Sequence, residues 1–146
     1  MRPPIVPFFL RNRGCRHRCV FCSERVISGH AAPVTEAAMR ETVGATLSAG
    51  GGRHGGVEIA FYGGSFTGMP RGEQIELLRA AASLIAEGAV RSVRISTRPD
   101  DIDAAGLDLL AAMGVRAVEI GAQSLDDGVL RRSGRGHSAD DVRRAV

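Results

Sequence analysis

At 146 residues the chain is one domain by length and large enough to bury a core. Its composition, 44% hydrophobic and 24% charged, is that of an ordinary globular protein, and no run of 18 apolar residues marks a membrane helix. The net charge of +3 is uneven: residues 1–25 hold six Arg and one Glu, giving +5, while the rest sums to −2.

The basic N-terminal region suits an anionic substrate, a nucleic acid or an acidic electron donor; it suits equally a solvated rim around an anionic group. All 19 basic residues are Arg, which reads as genome composition rather than function. Arg2 followed by Pro3, Pro4 and Pro7 makes a poor signal peptide, so a reducing, cytoplasmic setting is expected.

The first apolar run, Ile5 to Leu10, reads as a strand, although Pro7 removes one ladder donor. Residues 11–29 then form an irregular loop. Within it lie all three cysteines, Cys15, Cys19 and Cys22, spaced C-x3-C-x2-C. An odd count in a chain without secretory features argues against a disulfide framework. Three thiolates suit three irons of a 4Fe–4S cluster, leaving one iron open for a small chelating molecule. Zinc is the rival, since it takes N and S ligands and His17 lies inside the loop. Structural zinc sites, however, usually pair two ligand hairpins, and the sequence has one.

Thr35 is a candidate N-cap for a helix running to about Ala49. Gly50 to Gly56 holds five glycines in seven residues and reads as a flexible connection; without a following Lys-Ser/Thr it is a weak phosphate loop. Val57 to Tyr62 is the second strand, ending in Gly63-Gly64-Ser65. A helix follows from about Pro70 to Ala86. Val93 to Thr97 is the third strand, followed by Arg98-Pro99-Asp100 and a helix from about Ile102 to Met113, which Asp100 or Asp101 would cap. Ala117 to Ile120 is the fourth, leading into Gly121-Ala122-Gln123-Ser124. Helices are expected over about Asp126–Arg132 and from Ala139, with Ser138 as cap. His30 and His54 read as surface residues, and His137 as a cap or a packed side chain.

The βαβαβαβα order predicts a parallel sheet with helices outside, curved like a barrel wall. In such folds function gathers at the carboxyl ends of the strands. The cysteine loop, the Gly-Gly-Ser turn, Arg98-Pro99-Asp100 and Gly-Ala-Gln-Ser all fall at those ends.

These segments carry a resemblance. The cysteine spacing, with Phe21 before the last Cys, resembles the cluster loop of the radical S-adenosylmethionine superfamily. Gly63-Gly64-Ser65 is similar to that family's Gly-Gly-Glu motif, with Ser for Glu. Thr97-Arg98-Pro99-Asp100, Glu119-x-Gly121-x-Gln123-Ser124 and Arg135, twelve residues beyond Gln123, resemble the branch of the elongator catalytic subunit and oxygen-independent coproporphyrinogen oxidases. The resemblance implies a partial (βα) barrel over residues 1–146, stopping after the fourth of the family's usual six units, so that a missing segment or a partner chain would cover an open sheet edge. It implies an enzyme in which Cys15, Cys19 and Cys22 hold a 4Fe–4S cluster. An electron from it cleaves S-adenosylmethionine to a 5′-deoxyadenosyl radical for hydrogen abstraction. By the same likeness Phe21 positions the adenine, and Gly63, Gly64 and Ser65 meet the methionyl end. Gln123 meets the ribose and Arg135 the carboxylate. A flavodoxin- or ferredoxin-like reductant is implied, and the elongator branch would imply a tRNA substrate. Two other readings stay open: a non-catalytic, zinc-stabilised RNA-binding module, and a cluster-binding fragment without turnover.

Overall fold

A computed structural model describes residues 3–23, 33–50 and 55–146. His30, His54 and parts of the expected cysteine loop and glycine-rich connection lie outside the described residues. The elements are β1 (Ile5–Phe9), α1 (Glu36–Ala49), β2 (Val57–Tyr62), α2 (Arg71–Ala86), β3 (Val90–Thr97), α3 (Ala104–Ala112), β4 (Val115–Ile120), α4 (Asp127–Arg132) and α5 (Ala139–Ala145). The four strands form one parallel sheet in the order β1-β2-β3-β4. The expected α/β architecture of four βα units is therefore present.

Alternation along the strands sets the two faces of the sheet. Val6 and Phe8, Ile59 and Phe61, Val93 and Ile95, and Val115 share the core with Met39 and Val43 of α1, Leu78 and Leu84 of α2, and Leu110 of α3. Phe66, fully buried just beyond β2, stacks on Phe61 with ring centroids 5.4 Å apart. That stack anchors the turn after β2 to the core. On the opposite face, Arg94 bridges Glu58 and Glu119, and Tyr62 donates to Glu119 Oε1 at 3.2 Å. Pro7 is tolerated because β1 is an outer strand, bonded only to β2.

The helices start where local chemistry satisfies their first amides. The side chains of Thr35, Asp126 and Ser138 accept from Ala38 N, Val129 N and Asp141 N, and Ser138 forms a full capping box with Asp141. For α3 the expectation needs correction. Asp103, not Asp100 or Asp101, is the cap, accepting from Gly106 N at 2.7 Å. A short 3-10 turn over Pro99–Asp101 intervenes and shifts the helix start to Ala104. β3 also begins earlier than its apolar run suggests, at Val90, where Val57 and Val90 pair before a register shift.

Candidate active site

The segments at the carboxyl ends of the strands meet around one cavity of about 300 Å³. Its wall takes Asn12 and the three cysteines from the loop after β1, Gly63 and Gly64 after β2, Ser96 to Arg98 at the end of β3, Gly121 and Gln123 after β4, and Arg135 from the α4–α5 connection. Phe21 also lines it and is about half exposed.

The cysteine loop is fastened to the sheet by backbone. Leu10 N donates to Tyr62 O at 2.7 Å, Asn12 N to Gly63 O, and Ser65 N to Arg13 O at 2.9 Å. Gly64 lies so close to this loop that a Cβ there would collide with the Arg13 carbonyl. The glycine of the turn is thus needed for close approach of two backbones. On the far side, Val20 N donates to Ser133 O at 2.9 Å, tying the loop to the end of α4.

All three cysteines line the one cavity, and Cys15 lies near enough to Cys19 and Cys22 to feel their charge. Among the described residues no three His, Cys, Asp or Glu side chains stand close enough together to share one metal ion. His17, the one histidine of the loop, packs against Gly136 instead. Burial pushes the Cys15 thiol up, opposed by the charges of Arg98 and Arg135. The two guanidiniums therefore favour thiolate and would offset the negative charge of an iron–sulfur group held there.

Two expected binding residues, Gln123 and Arg135, stand in the cavity wall 100 and more positions from the cysteines. Gln123 has φ +65°, left-handed backbone that costs about 1 kcal/mol or more for such a residue. Arg135 is nine-tenths buried. Its Nη1 donates to Cys19 Sγ at 3.4 Å and its Nη2 to the Gly121 carbonyl, while its buried Nε has no acceptor among the described residues. A buried unpaired N–H in a cavity wall is a place for a ligand acceptor.

Ser65 stands apart from the rest. It is fully buried and does not line the cavity. Its hydroxyl donates to Asp101 Oδ2 at 2.6 Å, accepts from Arg98 N at 3.2 Å, and lies 3.0 Å from Thr97 Oγ1. The side chain therefore ties the turn after β2 to the end of β3. His137 is a packed histidine: its Nε2 bonds the Ala122 carbonyl at 3.1 Å. Asn12 is a wall residue that sequence reasoning did not select; it flanks the cysteine motif, and only its position after β1 pointed to it.

A half-barrel of parallel βα units whose strand ends present three cysteines and a glycine turn to one cavity defines a class of cofactor-dependent α/β protein. The sequence model of the Radical SAM superfamily matches residues 10–146, and the chain belongs to that superfamily. Its cofactors are a 4Fe–4S cluster and S-adenosylmethionine. Among curated relatives, the mouse mitochondrial radical S-adenosyl methionine domain-containing protein 1 is 33% identical over 91 residues, covering 62% of this chain and 21% of the relative. The bovine protein of the same name is 31% identical over 133 residues, covering 88% and 29%. The chain thus spans less than a third of these relatives. The archaeal Elp3 of Methanocaldococcus infernus, lacking residues 1–46, superposes with a TM-score of 0.66 at 18% identity, covering 99% of this chain and 35% of that one. The cobalamin-dependent radical enzyme OxsB, with aqua-cobalamin and S-adenosylmethionine bound, gives 0.60 at 17%, covering 95% and 21%. These two likenesses establish the fold.

Proposed function

We propose that this domain binds a 4Fe–4S cluster through Cys15, Cys19 and Cys22 and uses it to cleave S-adenosylmethionine reductively. One observation carries the reading: three sulfurs, a glycine turn and Gln123 from three separate strand ends, with Arg135 from the α4–α5 connection, line a single cavity. When bound, the cluster supplies an electron and the S-adenosylmethionine an adenosyl radical that abstracts hydrogen from a substrate.

The chain's own residues bind and orient. The backbone at Gly63 and Gly64 takes the methionyl amino end. Arg135, with a free Nε–H, takes the carboxylate, for which a guanidinium is well shaped. The Gln123 amide, donor and acceptor at once, suits ribose hydroxyls. Phe21, at the cavity mouth, positions the adenine. An external reductant and a substrate complete the reaction. The S-adenosylmethionine held by OxsB, a protein of like fold, supports this assignment of ligand.

The test is anaerobic incubation of the reconstituted protein with dithionite and S-adenosylmethionine, with 5′-deoxyadenosine and methionine measured by chromatography. Both products are expected from the wild type and neither from Cys19→Ala. Retained cleavage in Cys19→Ala would sink the assignment. A cluster-loaded wild type that forms neither product would leave the cluster-binding reading without turnover.

A further inference from the structure

Arg98 is the largest fully buried side chain among the described residues, and the proposed function assigns its side chain no ligand. Its guanidinium makes a fork to one carboxylate: Nε donates to Asp100 Oδ1 and Nη2 to Asp100 Oδ2, both at 2.9 Å. The remaining nitrogen, Nη1, donates to the main-chain carbonyl of Arg135 at 2.7 Å, across 37 positions of sequence. Beside this fork, the buried His137 holds the carbonyl of Ala122, and its Nδ1 lies 3.9 Å from Asp100 Oδ1. Arg98, Asp100 and His137 therefore fix two separate backbones, that of Arg135 and that of the turn running from Gly121 to Gln123.

Arg135 in turn spans these backbones with its side chain. One nitrogen bonds the Gly121 carbonyl and another donates to Cys19 Sγ. Glycine at 121 leaves room for that guanidinium, since a Cβ there would lie 2.8 Å from Arg135 Nη2. The N–H···S bond is consequential for a cluster ligand, because hydrogen bonds and positive charge at the sulfurs favour the reduced, more electron-rich state.

We propose that Arg98, locked by Asp100, is a positioning residue that aims the Arg135 guanidinium at Cys19 Sγ and so raises the reduction potential of the bound cluster. The inference rests on the cluster reading above. It adds a residue whose bonding to Asp100 and to the Arg135 carbonyl acts through Arg135.

The experiment is a dye-mediated potentiometric titration of the reconstituted protein, followed by EPR, with charge-conserving variants so that geometry alone changes. Arg135→Lys keeps the charge and loses the planar fork. It is expected to lower the reduced-to-oxidised ratio at the wild-type midpoint about tenfold, which is about 59 mV for one electron. Arg98→Lys is expected to shift the midpoint the same way by roughly threefold. The double variant should match Arg135→Lys alone, because Arg98 acts only through Arg135. Asp100→Glu keeps its charge but displaces the fork, and should lower the midpoint too; it reads the same link if Arg98→Lys does not fold.

Lowered thermal stability with an unmoved midpoint in Arg98→Lys, or in Asp100→Glu where that stands in, would overturn the proposal, as would additive shifts in the double variant. A wild type that takes up no cluster would overturn the cluster reading and this inference with it. A loaded wild type whose variants share its midpoint would overturn this inference alone.

Discussion

Two arginines four residues apart on β3 and its carboxyl end make opposite uses of the same charge. Arg94, about one-quarter exposed, lies across the sheet face between Glu58 and Glu119. Arg98, at 2% exposure, is forked to Asp100 and donates to a distant carbonyl. At Arg94, water reaches the guanidinium and Glu119 and screens that pair, while Glu58 on the other side is buried. At Arg98 the guanidinium is only 2% exposed, and removing it leaves Asp100, at 17% exposure, with the longer pair to Arg16 at 3.5 Å. The first staples strands that the backbone ladder already holds. The second determines how the site's separate turns meet, which no ladder does.

Deleting the buried partner is expected to have the largest effect. Arg98→Ala leaves Asp100 without its fork and should cost about 3–5 kcal/mol in urea unfolding. A loss under about 1 kcal/mol would place Arg98 with the screened pairs and erase the contrast. Next is Ser65→Ala, which removes a hydroxyl bonded to Asp101 and to Arg98 N. A loss of about 1–3 kcal/mol is expected by the same measurement.

The acid response sharpens the comparison further. Burial, helped by the neighbouring charges of Arg135 and Arg98, holds His137 below its usual 6.5 despite its backbone bond and Asp100. The unfolded chain therefore takes up this proton first. Stability is full above about pH 6.5 and declines as pH falls through that value toward the folded pKa. Burial pushes Asp100 up, but the Arg98 hydrogen bonds and charge outweigh it and hold it below 3.8. Its contribution is present above about pH 3.8 and is lost as pH falls through the lower folded value. Melting curves from pH 7.5 to 5 should show the first decline in wild type and not in His137→Gln. A decline of equal size in the variant would assign it elsewhere. The smallest effect is expected from Arg94→Ala, within about 1 kcal/mol and shrinking as salt rises. A loss near that of Arg98→Ala would show that exposure does not separate the two.

The same contrast marks what the sequence made legible. Periodicity and caps located every strand and helix to within a few residues, because they are local signals: Thr35 and Ser138 cap as expected. The cysteine loop and Gln123 could be selected because each follows a strand, and Arg135 by its spacing from Gln123. The alternatives to Asp103 as cap failed because a 3-10 turn, which no local pattern distinguishes from a first helical turn, occupies Pro99–Asp101. Ser65 was legible as part of a motif, but the direction of its side chain was not. That direction depends on Asp101 and Thr97, which lie more than 30 positions away. Arg98 was visible as a residue and invisible as a buried one, since its deciding partner is a carbonyl 37 positions on. Where partners are distant in sequence, only the fold shows them.

The central claim, an open-iron cluster ringed by Cys15, Cys19 and Cys22, is tested most directly by anaerobic reconstitution with iron and sulfide. Metal analysis and EPR of the reduced protein would follow, with and without S-adenosylmethionine. The account predicts about four irons per chain and a signal that changes when S-adenosylmethionine is added. About one tightly held zinc per chain, with no stable cluster and no response to S-adenosylmethionine, would contradict it.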